Sequence, residues 1–266
     1  MAGAGYLDWN GSLEALGRAH DAGVFALVIG PKGTGKTTLV REFAASRGLP
    51  IESANLSLRT REAHLVGTKT LEGGSVAFTE GILVRSMRRG GIMYLDELNA
   101  AEADVLLRLD EALDDRRELV LKESAGETVR AAGGWYAVAT INPLSHAGTK
   151  ELPPQLLSRF PARIRLEYPP AETEAEIVRR HAGAACAGAD LDAGIRLAGA
   201  LRGAAAVEEL AYAPSMRETI AYARLVGAGL PARDAAMTVF GNVYAQWGEI
   251  EHKKVAGIIT SMFGGQ

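Results

Sequence analysis

The sequence predicts an α/β fold followed by a smaller helical domain. Up to residue 168, short apolar runs typical of buried strands alternate with segments of helical spacing. Strand character stops at Tyr168-Pro169-Pro170, and every later segment has a helical pattern. We therefore expect an α/β domain over residues 1–168, built on a central five-stranded parallel sheet, and a helical domain over residues 169–266.

A glycine-rich stretch follows the first apolar run. Residues 30–37 read GPKGTGKT and fit the phosphate-binding P-loop pattern G-x-x-x-x-G-K-[ST]. Residues 24–29 before it are typical of a buried strand, and residues 38–45 after it have helical spacing. Glycines let backbone N–H groups approach phosphate oxygens, and the new helix adds its positive end. The motif predicts nucleotide binding, and a glycine-rich turn that fits by chance is the alternative.

The P-loop pattern also assigns chemistry to single side chains. Lys36 is expected to reach the β- and γ-phosphates, and the Thr37 hydroxyl to bind Mg²⁺. ATP and Mg²⁺ are therefore the expected cofactors. The expected nucleotide-binding residues are Gly30, Pro31, Lys32, Gly33, Thr34, Gly35, Lys36, Thr37 and Thr38.

Two carboxylates follow another apolar run. Asp96 and Glu97 come directly after residues 92–95, where we expect the carboxyl end of a buried parallel strand. Asp96 would bind the water shell of Mg²⁺, and Glu97 would act as general base toward the attacking water. The alternative is a capped turn at the end of a strand.

Local patterns place the remaining elements. A lead-in helix is expected over residues 12–20 with Ser12 as its N-cap. The other strands of the sheet are expected at residues 51–54, 135–141 and 162–166, and two hairpins with glycine-containing turns at residues 71–78 and 118–130. Helices are expected at residues 61–66, 81–89, 101–115, 153–160, 173–187 with Thr173 as cap, 191–200, 215–226, 231–247 and 252–263.

Composition excludes several classes of protein. The chain of 266 residues is 47% hydrophobic and 23% charged, which is typical of a globular protein with a sizeable core. A net charge of -3 argues against a protein whose main function is to bind nucleic acid through its phosphates. The single cysteine, Cys186, leaves no internal disulfide, and no apolar run is long enough to span a bilayer. We expect a cytoplasmic protein with no membrane segment.

Several motifs together resemble the MoxR-type AAA+ ATPases. They are the P-loop, the hairpin inserted near residues 71–78, Leu95-Asp96-Glu97-Leu98-Asn99, the hairpin at residues 118–130, Thr140-Ile141-Asn142-Pro143 and Leu156-Leu157-Ser158-Arg159-Phe160. The resemblance spans about residues 24–263, and the compact length is similar to the branch of rubisco and nitric-oxide-reductase activators, the CbbQ/NorQ type. It implies a P-loop NTPase fold of the AAA+ type with β-hairpin insertions and a C-terminal helical lid.

The resemblance implies roles for two residues near the predicted nucleotide site. Asn142 matches sensor 1, which hydrogen-bonds the γ-phosphate or the water. A turn residue before proline is the alternative. Arg159 matches the arginine finger, which reaches the γ-phosphate bound by a neighbouring subunit. An arginine that bonds carbonyl groups at a helix end is the alternative, and Arg163 and Arg165 are nearby candidates for the finger.

A third role falls in the helical domain. Arg217 matches sensor 2 at the start of a lid helix, although the family text there is closer to Ser-Pro-Arg than to Pro214-Ser215-Met216-Arg217. The helix dipole disfavours a cation in the first turn, so a bound anion is one explanation for this arginine. Whether Arg217 acts in cis or in trans stays open.

The family's activity provides the functional expectation. A finger that acts on a neighbour requires a homo-oligomeric ring, expected to be a hexamer. ATP hydrolysis in the ring would remodel or activate a partner, often through a von Willebrand A-domain protein, with a metalloenzyme as the final target. Gly73-Gly74 and the region 145–151 are candidate contacts to a pore or partner.

Two other functions remain as alternatives. One is a DNA-acting AAA+ motor of the same clade, against which the missing basic patch, the missing zinc motif and the short chain argue. The other is a degenerate P-loop scaffold without activity. The presence of Lys36, Thr37, Asp96 and Glu97 argues against such a scaffold.

Overall fold

The computed structural model describes residues 5–72, 75–143, 150–183, 186 and 188–264. The chain divides into two compact units. The α/β unit consists of Asn10–Pro31 and Gly35–Leu166. The helical unit consists of Met1–Trp9, Lys32–Thr34 and Glu167–Gln266, so a short piece of the P-loop is grouped with the C-terminal helices.

A five-stranded parallel sheet forms the centre of the α/β unit. The strands in the described ranges are β1 Ala26–Ile29, β2 Ile51–Asn55, β3 Gly67–Glu72, β4 Ser75–Glu80, β5 Ile92–Asp96, β6 Glu118–Leu121, β7 Glu127–Arg130, β8 Tyr136–Ile141 and β9 Ala162–Arg165. The central sheet has the order β2-β5-β8-β1-β9, and its neighbouring strands all run parallel. The predicted fold class is confirmed.

Burial follows the position of each strand in this sheet. The interior strands β1, β5 and β8 are apolar along most of their length and almost completely buried, as expected for parallel strands covered on both faces. The edge strand β9 alternates instead, because Ile164 is buried while Arg163 and Arg165 are exposed. Since all strands are parallel, the residues that follow β1, β5 and β8 come together at one edge of the sheet.

Six helices belong to the α/β unit in the part of the chain that is described. They are α1 Ser12–Asp21, α2 Lys36–Ser46, α3 Glu62–Leu65, α4 Ile82–Arg89, α5 Ala103–Ala112 and α6 Pro154–Ser158. The expected cap role of Ser12 is wrong, because α1 already begins at Ser12 and Gly11 occupies the cap position. The Ser12 hydroxyl donates to Asn10 Oδ1 at 2.6 Å and so bonds outside the helix.

Two antiparallel hairpins extend from this unit. Strands β3 and β4 lie between α3 and α4, as the sequence predicts, but the hairpin is longer than residues 71–78. Its turn, Gly73-Gly74, lies outside the described residues, as do residues 145–149 of the predicted 145–151 region. Strands β6 and β7 form the second hairpin.

The helical unit contains five α-helices in its described residues. They are α7 Ala171–Ala182, α8 Ala189–Ala206, α9 Met216–Gly227, α10 Ala232–Ala236 and α11 Glu249–Phe263. The predicted cap Thr173 is wrong, because α7 begins directly after Pro170, where proline favours a helix start. The single helix expected over residues 231–247 is divided into α10, a π-helical turn at Met237–Gly241 and a 3₁₀ segment at Asn242–Trp247.

The core of the helical unit includes aromatic side chains. Tyr222, Phe240 and Tyr244 are almost completely buried and pack among small and aliphatic residues of α8, α10 and α11. Across the described ranges, no helix combines the length and apolar character needed to cross a bilayer.

Candidate active site

The P-loop leads directly into helix α2. Gly35 is the N-cap residue with φ 92°, a left-handed conformation that favours glycine. Lys36 is the first residue of the helix, and Thr38 is exposed in its first turn. The first N–H groups of a helix have no partner within the helix and, together with its dipole, attract anions. The start of α2 therefore offers the phosphate site that the motif predicts.

The Lys36 side chain is buried and joins the P-loop to strand β8. It is 8% exposed. Its Nζ donates to Gly30 O at 2.7 Å, to Pro31 O at 2.9 Å and to Asn142 Oδ1 at 2.9 Å. The sequence separates Lys36 and Asn142 by 106 residues, and the parallel sheet brings them together. The predicted sensor residue thus contacts the predicted phosphate-binding lysine.

Thr37 and Asp96 form the second contact across the sheet edge. Thr37 Oγ1 donates to Asp96 Oδ2 at 3.3 Å and accepts a hydrogen bond from Tyr94 OH at 3.1 Å. Burial raises the pKa of Tyr94, so its hydroxyl remains protonated and can donate. Thr140 Oγ1 donates to Asp96 Oδ1 at 2.5 Å. The two carboxylate oxygens of Asp96 are therefore each oriented by a hydroxyl group.

Glu97 has an unusual backbone conformation for a residue with a side chain. Its φ is 57° and its ψ is 44°, and such left-handed residues cost about 1 kcal/mol or more and cluster at functional sites. Two contacts hold it in place. Its N–H donates to Thr140 Oγ1 at 3.1 Å, and its Oε1 accepts from Asn142 Nδ2 at 3.4 Å. The carboxylate is thus directed by Asn142, which also accepts a hydrogen bond from Lys36.

The residues at this edge fit ATP and Mg²⁺. The start of α2 and the Lys36 ammonium supply donors for phosphate oxygens, and the Thr37 hydroxyl and Asp96 carboxylate supply oxygen ligands for a hard cation. Within the described residues, no cluster of three or more His, Cys, Asp or Glu side chains could hold a metal. Mg²⁺ commonly uses one or two protein ligands together with phosphate and water, so this donor set suits Mg²⁺ bound with a nucleotide.

Arg159 lies just after α6 and is held by carboxylates of α5 and the turn that follows it. Its Nε donates to Asp110 Oδ1 at 3.0 Å, and its Nη1 lies 2.8 Å from Asp114 Oδ1. The hydrogen bond to Asp110 raises the pKa of Arg159. Arg163, a nearby candidate for the finger, instead bonds a carbonyl group. Its Nη2 donates to Leu157 O at 3.3 Å. The Arg159 side chain is 26% exposed.

Arg217 lies in the helical unit, in the first turn of α9. Ser215 caps this helix by accepting from Arg217 N at 3.2 Å, and Glu218 Oε2 in turn accepts from Ser215 N at 3.0 Å. The Arg217 side chain is exposed. Glu218 places a negative charge in the same turn, where the helix dipole favours it. The sensor-2 role of Arg217 stays a prediction.

The family of the chain follows from comparison with known proteins. A protein-family model for the AAA domain, dynein-related subfamily, matches residues 26–160. This stretch begins at β1 and ends just after α6, so it contains each element that carries the site in the α/β unit. The chain belongs to the AAA+ ATPase family. It is therefore an enzyme that binds ATP and hydrolyses it to ADP and phosphate.

Individual relatives agree with this assignment. The denitrification regulatory protein NirQ of Pseudomonas aeruginosa is 35% identical over 223 residues, which cover 84% of either chain. The protein NorQ of Paracoccus denitrificans is 38% identical over 178 residues, which cover 66% of this chain and 64% of NorQ. The resemblance to MoxR-type AAA+ ATPases near the NorQ branch is confirmed.

A solved structure supports the fold. The crystal structure of a candidate ATPase from Cytophaga hutchinsonii superimposes with a TM-score of 0.51 at 20% sequence identity. The match covers 94% of this chain and 88% of that one. At this level of identity the likeness concerns the fold alone.

Several side chains at the site were not identified from the sequence. Thr140 connects Asp96 and Glu97, Tyr94 bonds Thr37, and Asn99 Nδ2 donates to the backbone O of Asn142 at 3.0 Å. The signal for Thr140 is its place near the carboxyl end of β8, beside the strand that ends in Asp96. Asp110 near the end of α5 and Asp114 in the turn after it are four residues apart, but only the fold shows that Arg159 lies against them.

Proposed function

We propose that this AAA+ ATPase works as a homo-oligomeric ring, a hexamer, and regulates or activates a partner enzyme in the cytoplasm. The contact network of Lys36, Asn142, Glu97, Asp96 and Thr37 supports the ATPase part, because it unites the groups that hold phosphate, metal and water. The relatives support the regulatory part, since one is named a denitrification regulatory protein. A von Willebrand A-domain adaptor and a metalloenzyme target complete the proposal.

Each residue of the network has one task in the proposed reaction. Lys36 and the start of α2 would bind the phosphates, while Thr37 and Asp96 would hold Mg²⁺. When bound, this metal would supply positive charge that neutralises the phosphate oxygens. Glu97 accepts a proton from the attacking water as general base. Asn142 bonds Lys36 and Glu97 and so keeps the carboxylate aligned with the phosphate site.

Arg159 is proposed to complete the site of a neighbouring copy. Inside its own protomer, Arg159 is bound by Asp110 and Asp114. At the sheet edge, Asn142 bonds both Lys36 and Glu97. An arginine supplied in trans stabilises charge on the transferring phosphoryl group and is worth about 10³–10⁵ in rate in related enzymes. Arg217 is proposed as a second arginine of the nucleotide site, in cis or in trans.

A mixing experiment tests the trans arrangement. Lys36→Ala protomers lack the phosphate-binding lysine but retain Arg159, and Arg159→Ala protomers have the reverse defect. Each variant alone is expected to hydrolyse ATP at a small fraction of the native rate. In an equal mixture of exchanging protomers, about one interface in four pairs an intact P-loop with an intact Arg159. Phosphate release should therefore recover to about a quarter of the native rate.

Three results would contradict this arrangement. If both variants still assemble but the mixture stays inactive, the trans role of Arg159 is wrong. If Arg159→Ala alone hydrolyses ATP at the native rate, Arg159 is not the finger. A native protein that remains a single protomer with ATP and Mg²⁺ in sedimentation experiments would exclude the ring.

The DNA-acting motor predicts a different response. DNA would accelerate its ATP hydrolysis, and the acceleration would fall steeply as the salt concentration rises, because phosphate contacts release counterions. An activator of a partner protein should show no DNA response but should be stimulated by a von Willebrand A-domain protein. Phosphate release measured with duplex DNA, single-stranded DNA and such an adaptor, each at several salt concentrations, separates the two.

A further inference from the structure

A buried ion pair anchors the interior of the helical unit. Arg202 donates through Nη1 to Glu174 Oε2 at 2.6 Å and through Nη2 to Glu174 Oε1 at 2.9 Å, which is a bidentate pair. Thr219 Oγ1 also donates to Glu174 Oε1, at 2.8 Å. Glu174 is only 2% exposed. Such a paired and hydrogen-bonded arginine has a fixed orientation.

Arg202 makes three more contacts beyond this pair. Its Nη2 donates to Thr219 Oγ1 at 3.2 Å. Its Cζ lies 4.2 Å from the centroid of the Tyr168 ring, within the range of a cation–π interaction. Its Nε donates to Pro214 O at 2.7 Å, directly before Ser215, the cap of α9. One anchored guanidinium thus fixes the Tyr168 ring and the turn that leads into α9.

The Tyr168 ring and the turn before α9 both contact the P-loop tip, which we define as residues Lys32–Thr34. The tip belongs to the same compact unit as these two features. Tyr168 OH donates to the backbone O of Lys32 at 2.9 Å. Burial raises the pKa of Tyr168, so its hydroxyl is protonated at neutral pH. On the other side, Gly33 has φ 72°, and a Cβ built on it would lie 2.4 Å from Ser215 Cβ. The tip is therefore held by Tyr168 and packed against Ser215.

We propose that Tyr168 and Arg202 are positioning residues that keep the P-loop tip in the conformation that receives phosphate. The backbone N–H groups of a P-loop bind phosphate only when they point to a common centre. Holding the tip in that arrangement before the nucleotide arrives reduces the ordering that binding would otherwise require. The inference rests on the proposed phosphate role of residues 30–37, which the Lys36→Ala variant tests separately.

The replacement Tyr168→Phe tests the contact with little change in packing. It removes only the hydroxyl that donates to Lys32 O. We expect the full-length protein to bind a fluorescent ADP analogue about threefold to tenfold more weakly, which corresponds to the loss of one hydrogen bond. The KM for ATP should rise by a similar factor. The kcat should stay within about twofold, because Glu97, Asn142 and the neighbour's Arg159 are untouched.

Tyr222→Phe is the matched control. Tyr222 OH also donates to a backbone carbonyl, Asp190 O, at 2.9 Å, and its ring is buried in the same unit. Both variants lose one tyrosine hydrogen bond and should have similarly lowered melting temperatures. Only Tyr168→Phe should bind the ADP analogue more weakly. Equal weakening in both variants would indicate a general stability effect and would overturn the proposal.

A second variant removes the ring as well as the hydroxyl. Tyr168→Leu loses the stacking on Arg202, so its affinity for the ADP analogue should fall further than that of Tyr168→Phe. Native affinity in both Tyr168 variants would overturn the positioning role. Native affinity in Lys36→Ala would instead show that the P-loop assignment is wrong, so the two failures are distinguishable.

Discussion

The two cations of the α/β unit that we assign to ATP chemistry have different surroundings. Lys36 is buried and donates to two backbone carbonyls and an amide oxygen. Arg159 is partly exposed and is bonded to the carboxylates of Asp110 and Asp114. These hydrogen bonds of Lys36 join the P-loop to Asn142, whereas the contacts of Arg159 join it to α5 and the turn after it.

This difference matches the two proposed tasks. A phosphate that approaches Lys36 offers its ammonium an anionic acceptor in place of carbonyl and amide oxygens, which favours binding in the protomer's own site. Arg159 has five N–H donors, and the contacts to Asp110 and Asp114 involve its Nε and Nη1. The proposed trans role assigns the remaining donors, including those on Nη2, to the phosphate of a neighbouring copy. The P-loop side is organised for affinity, and the Arg159 side for orientation.

The largest expected effect is at Lys36. Lys36→Ala removes the charge that we propose binds the β- and γ-phosphates, so affinity for ATP should fall by about 100-fold or more. Isothermal titration with a non-hydrolysable ATP analogue measures this. Lys253→Ala, which removes an exposed lysine paired with Glu249, is the charge-matched control and should bind normally. If Lys36→Ala still binds the analogue normally, Lys36 does not provide affinity for ATP, and the proposed contrast with Arg159 is wrong.

The next largest effect is expected at Glu97. It shares the contact to Asn142 with Lys36, but its proposed task is to accept a proton from the attacking water. Gln can still accept the hydrogen bond from Asn142 but is not a base, so Glu97→Gln should bind ATP with native affinity. Turnover should fall by about 10²–10⁴, measured as phosphate release at saturating ATP. Glu102→Gln, at an exposed carboxylate paired with Lys150, is the control. Substantial turnover in Glu97→Gln would assign the base elsewhere.

The smallest effect tests the orientation of Arg159. Asp110→Asn keeps the size of the side chain but loses the ion pair, while Asp114 remains. We expect kcat to fall by about tenfold because the finger is less well positioned, with the KM for ATP unchanged. Mixing with Lys36→Ala protomers should restore activity, since those protomers supply a native Arg159 to the intact P-loops.

Asp115→Asn sharpens this last comparison. Asp115 is an exposed neighbour whose charge also acts on Arg159. If contact geometry matters, Asp115→Asn should leave kcat close to native. An equal loss in both variants would mean that net charge matters and not orientation. A faster rate in Asp110→Asn would show that the carboxylates restrain Arg159.

Features defined by local patterns were predicted well from the sequence. The P-loop, the strand that ends in Asp96 and the two hairpins each have apolar runs and turn residues in immediate succession, and the structure has them in those places. Parallel pairing then explains why Lys36 meets Asn142. The predictions that failed concern helix ends. Thr173 resembles a cap, but Pro170 already occupies the cap position of α7, and the segment 231–247 contains a π-helical turn that periodicity does not reveal.

Contacts between distant side chains were beyond prediction. That Thr140 donates to Asp96 and accepts from Glu97 depends on the register of β8 beside β5. Arg159 and Asp110 are separated by 49 residues and meet because α6 packs near α5. A single sequence indicates which residue types are present, whereas these pairings depend on how the elements pack.

The residues at the two ends of the β3–β4 hairpin, Val66 and Gly81, lie side by side. Gly81 N donates to Val66 O at 2.9 Å, and a Cβ at Gly81 would lie 2.3 Å from Leu65 O. Because its two ends are held together in this way, the hairpin can gain or lose residues at small entropic cost. Insertions and deletions in this hairpin should therefore leave the five-stranded sheet and the P-loop undisturbed.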